Sequence, residues 1–267
     1  MTRPVRPKKA LGQHFLKDLD VAQRIAGTLP DNKCLPVLEV GPGMGVLTRF
    51  LIEAGHRLHV VEIDLEAVHY LETHFSLPEG HIIAGDFLRM DLDKLFPSPF
   101  CVIGNYPYNI SSQIFFKVLD YKDRIPFCSG MLQKEVAERL AAAPGSRTYG
   151  ILSVLLQAWY DVSFLFTVDE DAFEPPPRVK SAVIKIVRNE RTHLGCDQAL
   201  FKTVVKTAFN QRRKTLRNSM KPLLGKDCPD YAAPLFDKRP EQLSVEQFVE
   251  LTLITSRYLK AQNKQSL

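Results

Sequence analysis

Two periodicities alternate through residues 18–140. Short continuous apolar runs, the mark of strands buried on both faces, occupy 36–40, 58–63, 81–84, 100–104 and 126–132. Between them, 18–29, 46–54, 65–75, 111–119 and 133–140 repeat their apolar residues at helical spacing. Asp18 suits the N-cap of the first helix and Pro30 its stop, and Ser111 or Ser112 suits the cap of the fourth. The pattern then predicts a helix over 150–160 and two Phe-, Val- and Ile-rich strands at 162–168 and 181–187. The stiff run Phe173-Glu174-Pro175-Pro176-Pro177-Arg178 separates that pair. Strands and helices in this order predict an α/β fold, doubly wound, with a mostly parallel, Rossmann-like sheet of seven strands. After Asn189 the pattern is all-helical, at 197–209, 211–218 and 244–259. The expected division is a larger domain over 1–190 and a small helical one over 191–267.

In such a sheet, ligands bind beyond the carboxyl ends of the strands. The first run leads into Gly41-Pro42-Gly43-Met44-Gly45, where glycines let the backbone turn and a ligand approach closely. The loop lacks the Gly-Lys-Ser/Thr of a P-loop, and its third glycine comes one place too early for the dinucleotide fingerprint. Glu62, at the tip of the second strand and followed by Ile63, stands where a carboxylate meets ribose hydroxyls. Gly85-Asp86-Phe87 closes the third strand, with an acceptor for an adenine amino group and a ring to cover the base. Singly, such acids are ordinary caps or solvated loop residues. Together, Gly41, Gly43, Glu62, Ile63, Asp86 and Phe87 outline a nucleoside cofactor without phosphates, which points to S-adenosylmethionine over a hydride-carrying dinucleotide.

The fourth run ends in Asn105-Tyr106-Pro107-Tyr108, which holds no strong nucleophile and no carboxylate. Alone it could be an Asn-Pro turn with surface tyrosines. Beside a methyl-donor cleft it suits a flat aromatic amine. The Asn105 carboxamide oxygen and the Tyr106 backbone carbonyl would accept from the amine, Pro107 would fix the backbone and Tyr108 would stack on the base. Their gain would be alignment of amine and methyl group. A carbon-directed methylase would place a cysteine after a proline here, whereas Cys101 lies inside a strand behind Phe100.

Composition is that of an ordinary globular protein, with 45% apolar and 24% charged residues in 267. Charge is placed unevenly: residues 191–267 hold 14 Lys and Arg against 7 Asp and Glu, while 1–190 hold 21 against 23. A basic tail with Arg212, Arg213, Lys214 and Arg217 on one predicted helix suggests an anionic polymer, against the plainer reading of a solvated charged face. The amino-terminal arm carries Arg3, Arg6, Lys8 and Lys9 but no apolar stretch of a signal peptide, and no run approaches a membrane span. Five scattered cysteines without metal-ligand spacing read as reduced. A soluble, cytoplasmic, monomeric protein without a metal is expected.

Several stretches resemble the KsgA family of ribosomal RNA adenine dimethyltransferases: Leu11-Gly12-Gln13-His14-Phe15-Leu16, Glu39 to Thr48, Asn105 to Ser111, Gln133 to Leu140 and Phe173 to Val183. The likeness continues through Phe209 to Asn218 and Arg239-Pro240-Glu241-Gln242-Leu243-Ser244, which are more specific than the glycine motif. The resemblance implies dimethylation at N6 of two adjacent adenosines in the loop of the hairpin near the 3′ end of small-subunit rRNA, during subunit assembly. It also implies cofactor contacts from His14, Leu16, Gly41, Glu62, Asp86 and Asn105. His14 stands where the family usually has Asn, and Tyr106 where it usually has Leu. Two other readings are a large-subunit rRNA adenine methylase of the antibiotic-resistance type and an assembly factor that only binds RNA. The basic segment at 212–217 and Arg239-Pro240-Glu241 favour the small-subunit enzyme over the former, and intact Gly41, Gly43, Glu62 and Asn105 favour it over the latter.

Overall fold

Chain order in the computed structural model, which describes residues 5, 7, 8, 11–30 and 34–265, follows the alternation closely. Arg3, Arg6 and Lys9 of the basic arm lie outside the described residues. The elements are β1 (Phe15–Leu16), α1 (Leu19–Ala26), β2 (Val37–Val40), α2 (Val46–Glu53), β3 (Leu58–Glu62), α3 (Leu65–His74) and β4 (Ile82–Ala84). There follow α4 (Leu92–Leu95), β5 (Cys101–Asn105), α5 (Ser111–Asp120), β6 (Phe127–Gln133), α6 (Lys134–Ala141), α7 (Ile151–Gln157), β7 (Tyr160–Val168), β8 (Phe173–Glu174) and β9 (Ser181–Arg188). The rest is helical: α8 (Gln198–Asn210), α9 (Leu216–Ser219), α10 (Lys221–Leu224) and α11 (Val245–Gln265), with short 3-10 turns among them. No described helix is long and apolar enough to cross a membrane.

Seven strands form one sheet in the order β4-β3-β2-β5-β6-β9-β7. β4 through β6 pair in parallel, and β9 returns antiparallel against β6. Chain progress runs one way from β2 to β4 and the other way from β5 to β6, so the switch point falls between β2 and β5. That is where an open α/β sheet binds its ligand. Both faces of the central strands are covered, and Leu38, Val60, Val102, Ile103 and Met131 are fully buried. This explains why these strands read as unbroken apolar runs.

By contacts the chain divides into two compact units, residues 1–138 with 161–188, and residues 139–160 with 189–267. Residues 139–160, counted from sequence with the larger domain, belong with the carboxyl-terminal helices. Long-range polar contacts hold them there: the Gly145 amide donates to the Glu241 carbonyl, at 2.6 Å, and Arg212 donates to the Arg147 carbonyl. The core of this second unit stacks Phe209 on Phe248 and sets Tyr149 against Phe209.

Three local expectations are corrected. The residue capping α5 is Ile110, and it makes no side-chain cap bond. The Ser111 hydroxyl donates instead to the Tyr108 carbonyl, at 3.3 Å. α7 stops at Gln157, because the aromatic and β-branched run from Tyr160 is already β7. The predicted helix over 211–218 is a turn through Gln211–Lys214, with only Leu216–Ser219 helical. Gln211-Arg212-Arg213-Lys214 contains good helix formers but no apolar residue to bury, and packing rather than propensity holds short helices.

Candidate functional site

The loop after β2 is shaped by Gly41, Gly43 and Gly45, all at positive φ (71°, 56° and 78°). Each glycine is required for a different reason. A Cβ at Gly43 would come within 3.0 Å of the Phe15 ring, where the amino-terminal segment crosses the loop. One at Gly45 would stand 2.3 Å from the Phe75 ring, so the third glycine serves helix packing. At Gly41, positive φ turns the chain where the β2 loop meets Pro107 of the β5 loop, whose ring would lie 3.5 Å from an added Cβ.

One cavity opens at the ends of β2, β3, β4 and β5. It brings together every residue assigned from sequence to the cofactor or the reaction: His14, Leu16, Gly41, Gly43, Glu62, Ile63, Asp86, Phe87, Asn105, Tyr106, Pro107 and Tyr108. Its lining holds three carboxyl groups, Glu39, Glu62 and Asp86, and no Lys or Arg among the described residues. Such a cavity repels phosphates and favours a ligand that carries positive charge.

Glu62, 4% exposed, is fixed before any ligand arrives. One oxygen accepts from the Gly43 amide at 3.1 Å, and the other accepts from the Ile63 and Asp64 amides at 2.9 Å each. Burial raises its pKa, and the three amides pull the other way. Asp86 accepts from the Leu88 amide and lies 3.4 Å from Arg89, so it caps a short 3-10 turn while its side chain stays partly exposed.

The amino-terminal segment forms part of the wall. β1 pairs antiparallel with β8, a strand that falls inside the Pro-rich run and was not expected from sequence. His14 Nδ1 bonds the Pro175 carbonyl at 2.9 Å, and its ring lies 5.2 Å from that of Tyr108. Lys8 Nζ reaches Asp64 at 2.6 Å, and Gln13 Nε2 donates to the same carboxylate at 3.3 Å. Burial opposes ionisation of Asp64, but Lys8, the Glu66 amide and Gln13 together hold its carboxyl below the ordinary value.

Asn105 ends β5. Its Nδ2 donates to the His14 carbonyl at 3.2 Å, which leaves Oδ1 as the acceptor. Tyr106 points its ring into the core, at 1% exposure, and its hydroxyl donates to the Ser129 carbonyl at 2.7 Å. An added Cβ at Gly130 would lie 2.6 Å from that ring, so the space is made by a glycine on β6. Tyr106 is nonetheless among the residues that line the cavity. Tyr108 bonds Ser181 through its hydroxyl, and burial raises its pKa.

The model of the ribosomal RNA adenine dimethylase family matches residues 5–255. The chain belongs to that family. "Ribosomal RNA small subunit methyltransferase A" of Parabacteroides distasonis is 76% identical over 260 residues, covering 97% of this chain and 98% of the relative. The protein of the same name from Bacteroides thetaiotaomicron is 65% identical over 257 residues, 96% of each chain. Among solved structures, the dimethyladenosine transferase of Plasmodium falciparum shares the fold, with a TM-score of 0.77, 23% identity and coverage of 92% of this chain and 98% of that one. The 23S rRNA methyltransferase ErmE aligns with a TM-score of 0.65 and 26% identity over 88% of this chain and 98% of its own.

Within this dimethylase, sequence reasoning passed over Glu39, which is 1% exposed and also lines the cavity. Burial pushes its pKa up to about 8; Thr48, whose hydroxyl donates to it at 2.7 Å, pulls down, and the neighbouring Glu62 charge pushes up. The signal was an acid inside an otherwise apolar strand run. The basic segment lies in the second unit. There Arg212 donates to the Ser146 and Arg147 carbonyls, and Arg213, Lys214 and Arg217 are exposed, the last paired with Asp237.

Proposed function

We propose that the protein transfers methyl groups from S-adenosylmethionine to N6 of two adjacent adenosines in the loop of the 3′-terminal hairpin of small-subunit (16S) rRNA during assembly of that subunit. The observation that carries this reading is Asn105 at the switch point, with Nδ2 tied to the His14 carbonyl and Oδ1 left to accept. An exocyclic amine has its lone pair conjugated into the ring, and acceptors for its two N–H groups turn that pair outward. Asn105 Oδ1 and the Tyr106 carbonyl are those acceptors. Pro107 holds the backbone, and the Tyr108 ring, braced by His14 and Ser181, stacks on the base. The residues align the reacting atoms rather than activate a nucleophile.

The cavity fits the cofactor. With Glu62 and Asp86 in its lining and no Lys or Arg there among the described residues, it suits a molecule that bears a sulfonium, is cationic overall and lacks phosphates. Gly41 and Gly43 give the close backbone approach, Glu62 and Ile63 hold the ribose side, Asp86 and Phe87 the adenine, and His14, Leu16 and Asn105 the remainder. When bound, S-adenosylmethionine supplies an electrophilic methyl carbon. RNA phosphates are met by the exposed cations Arg213 and Lys214, with Arg212 and Arg217 shaping the turn around them. The enzyme acts as a cytoplasmic monomer without a metal, on an immature small-subunit particle.

The likeness to ErmE supplies the second reading, methylation of large-subunit rRNA. Identity of 76% to a small-subunit relative favours the first. Labelled methyl groups from S-adenosylmethionine are expected at N6 of adenine in unmethylated small-subunit particles. Label on naked large-subunit rRNA and none on the particles would reverse the assignment.

A further inference from the structure

The basic turn after α8 does more than expose two cations. Gln211, Lys214, Asn218, Lys221, Pro222 and Lys226 line one hollow in the second unit. Three of its lining residues are lysines and none is an acid. Among the described residues none of these lysines is in an ion pair, while two arginines of the same unit are, Arg191 with Glu246 and Arg217 with Asp237.

The placement is built by the backbone. α10 ends where the Gly225 amide donates to the Lys221 carbonyl at 2.9 Å. Gly225 then turns at φ 69°, and its carbonyl accepts from the Tyr231 hydroxyl at 2.6 Å. A Cβ on Gly225 would lie 3.1 Å from the Tyr258 hydroxyl, so two tyrosines hem in the turn that returns Lys226 to the hollow beside Lys221. Like charges gathered without a counter-charge repel one another, and an anion in the hollow relieves that repulsion. Lysine binds phosphate as a point charge, and the Gln211 and Asn218 amides add neutral donors.

We infer that Lys214, Lys221 and Lys226 form a phosphate-binding site for the rRNA backbone, with Gln211 and Asn218 as neutral partners. This extends RNA contact beyond the basic turn to two lysines that follow it in sequence. It rests on rRNA being the substrate. Every phosphate that a cation neutralises steepens the fall of log affinity with log salt, so neutralising Lys221 and Lys226 removes about 1.4 to 1.8 from the slope.

The test compares the full-length protein with Lys221→Gln/Lys226→Gln and Lys221→Arg/Lys226→Arg, binding both protein-free small-subunit rRNA and small-subunit particles across a potassium chloride series. Reduced slope and affinity are expected for the Gln pair on both, with recovery in the Arg pair. An unchanged slope overturns the site, and so does a loss that arginine fails to restore, which would mark a structural defect. A loss on particles alone would assign the hollow to a protein of the particle and equally overturn the phosphate assignment. Methyl transfer by the unaltered protein, measured in the same preparations, reports separately on the proposed function: its absence defeats that reading, and its presence beside an unchanged slope defeats only the site.

Discussion

The cavity at the switch point and the lysine hollow handle charge in opposite ways. In the cavity, Glu39 and Glu62 are buried, and each has its polar partners in place: Thr48 for one, three backbone amides for the other. In the hollow, Lys214, Lys221 and Lys226 are exposed and, among the described residues, lack ionic partners. Desolvating a charge costs several kcal/mol unless partners are fixed in advance, so a buried site recognises one ligand by geometry. An exposed cation costs little to keep and gains by summation, which suits a long anion. One protein can use both only if the two tasks stay separable.

Asn105→Ala tests that separation most severely. It removes the proposed acceptor for the target amine and its tie to the His14 carbonyl, and methyl transfer should fall by roughly 10²- to 10³-fold. Affinity for rRNA should stay within about twofold, because the proposed phosphate contacts lie in the second unit. A loss of RNA binding as large as that from neutralising Lys214 would break the comparison.

Glu39 tests the buried half. Unfolded, its carboxyl titrates near 4.5; folded, near 8. Below the lower value both states hold the proton, and burial carries no ionic penalty. Between the two, the folded state keeps a proton that the unfolded state has released, so this group's contribution to stability falls as pH rises and levels off above about 8. Glu39→Gln removes that slope. Urea unfolding at pH 5 and at pH 8 should show the variant gaining on wild type by on the order of 4 kcal/mol between them. Parallel curves would mean that Glu39 is already ionised in the folded protein.

How much of this was legible in the sequence depended on the range of the interaction. The strands of the sheet, the glycine loop, Asp18 as a cap and the acids at the ends of β3 and β4 follow from local patterns, and the cavity collects the loop and those acids. What escaped was set by partners distant in the chain. The two-residue pairing of β1 with β8 is too short to leave a period. Lys8 and Gln13 meet Asp64 across more than fifty positions. The turn at 211–214 reads as helix from sequence because its residues favour helix individually while none is buried. Residues 139–160 follow the sheet in sequence but find their polar partners in the carboxyl-terminal helices.

Tyr106 gives the finest test of the line between site and core. It belongs to the cavity tetrad by sequence, yet its ring packs edge-on against Phe115 and fills the space left by Gly130. Burial pushes its hydroxyl pKa well above the ordinary value, so the group stays neutral and acts as a donor to the Ser129 carbonyl. Tyr106→Phe keeps the ring and removes that one bond. The expected cost is about 1 kcal/mol of unfolding free energy, seen as a lower urea midpoint at unchanged m-value. Tyr106→Leu removes the ring as well and should cost about 2 kcal/mol more, since β6 keeps a glycine where the ring packs. Equal stability of the Phe and Leu variants would show that the ring contributes nothing to the packing between β5, β6 and α5.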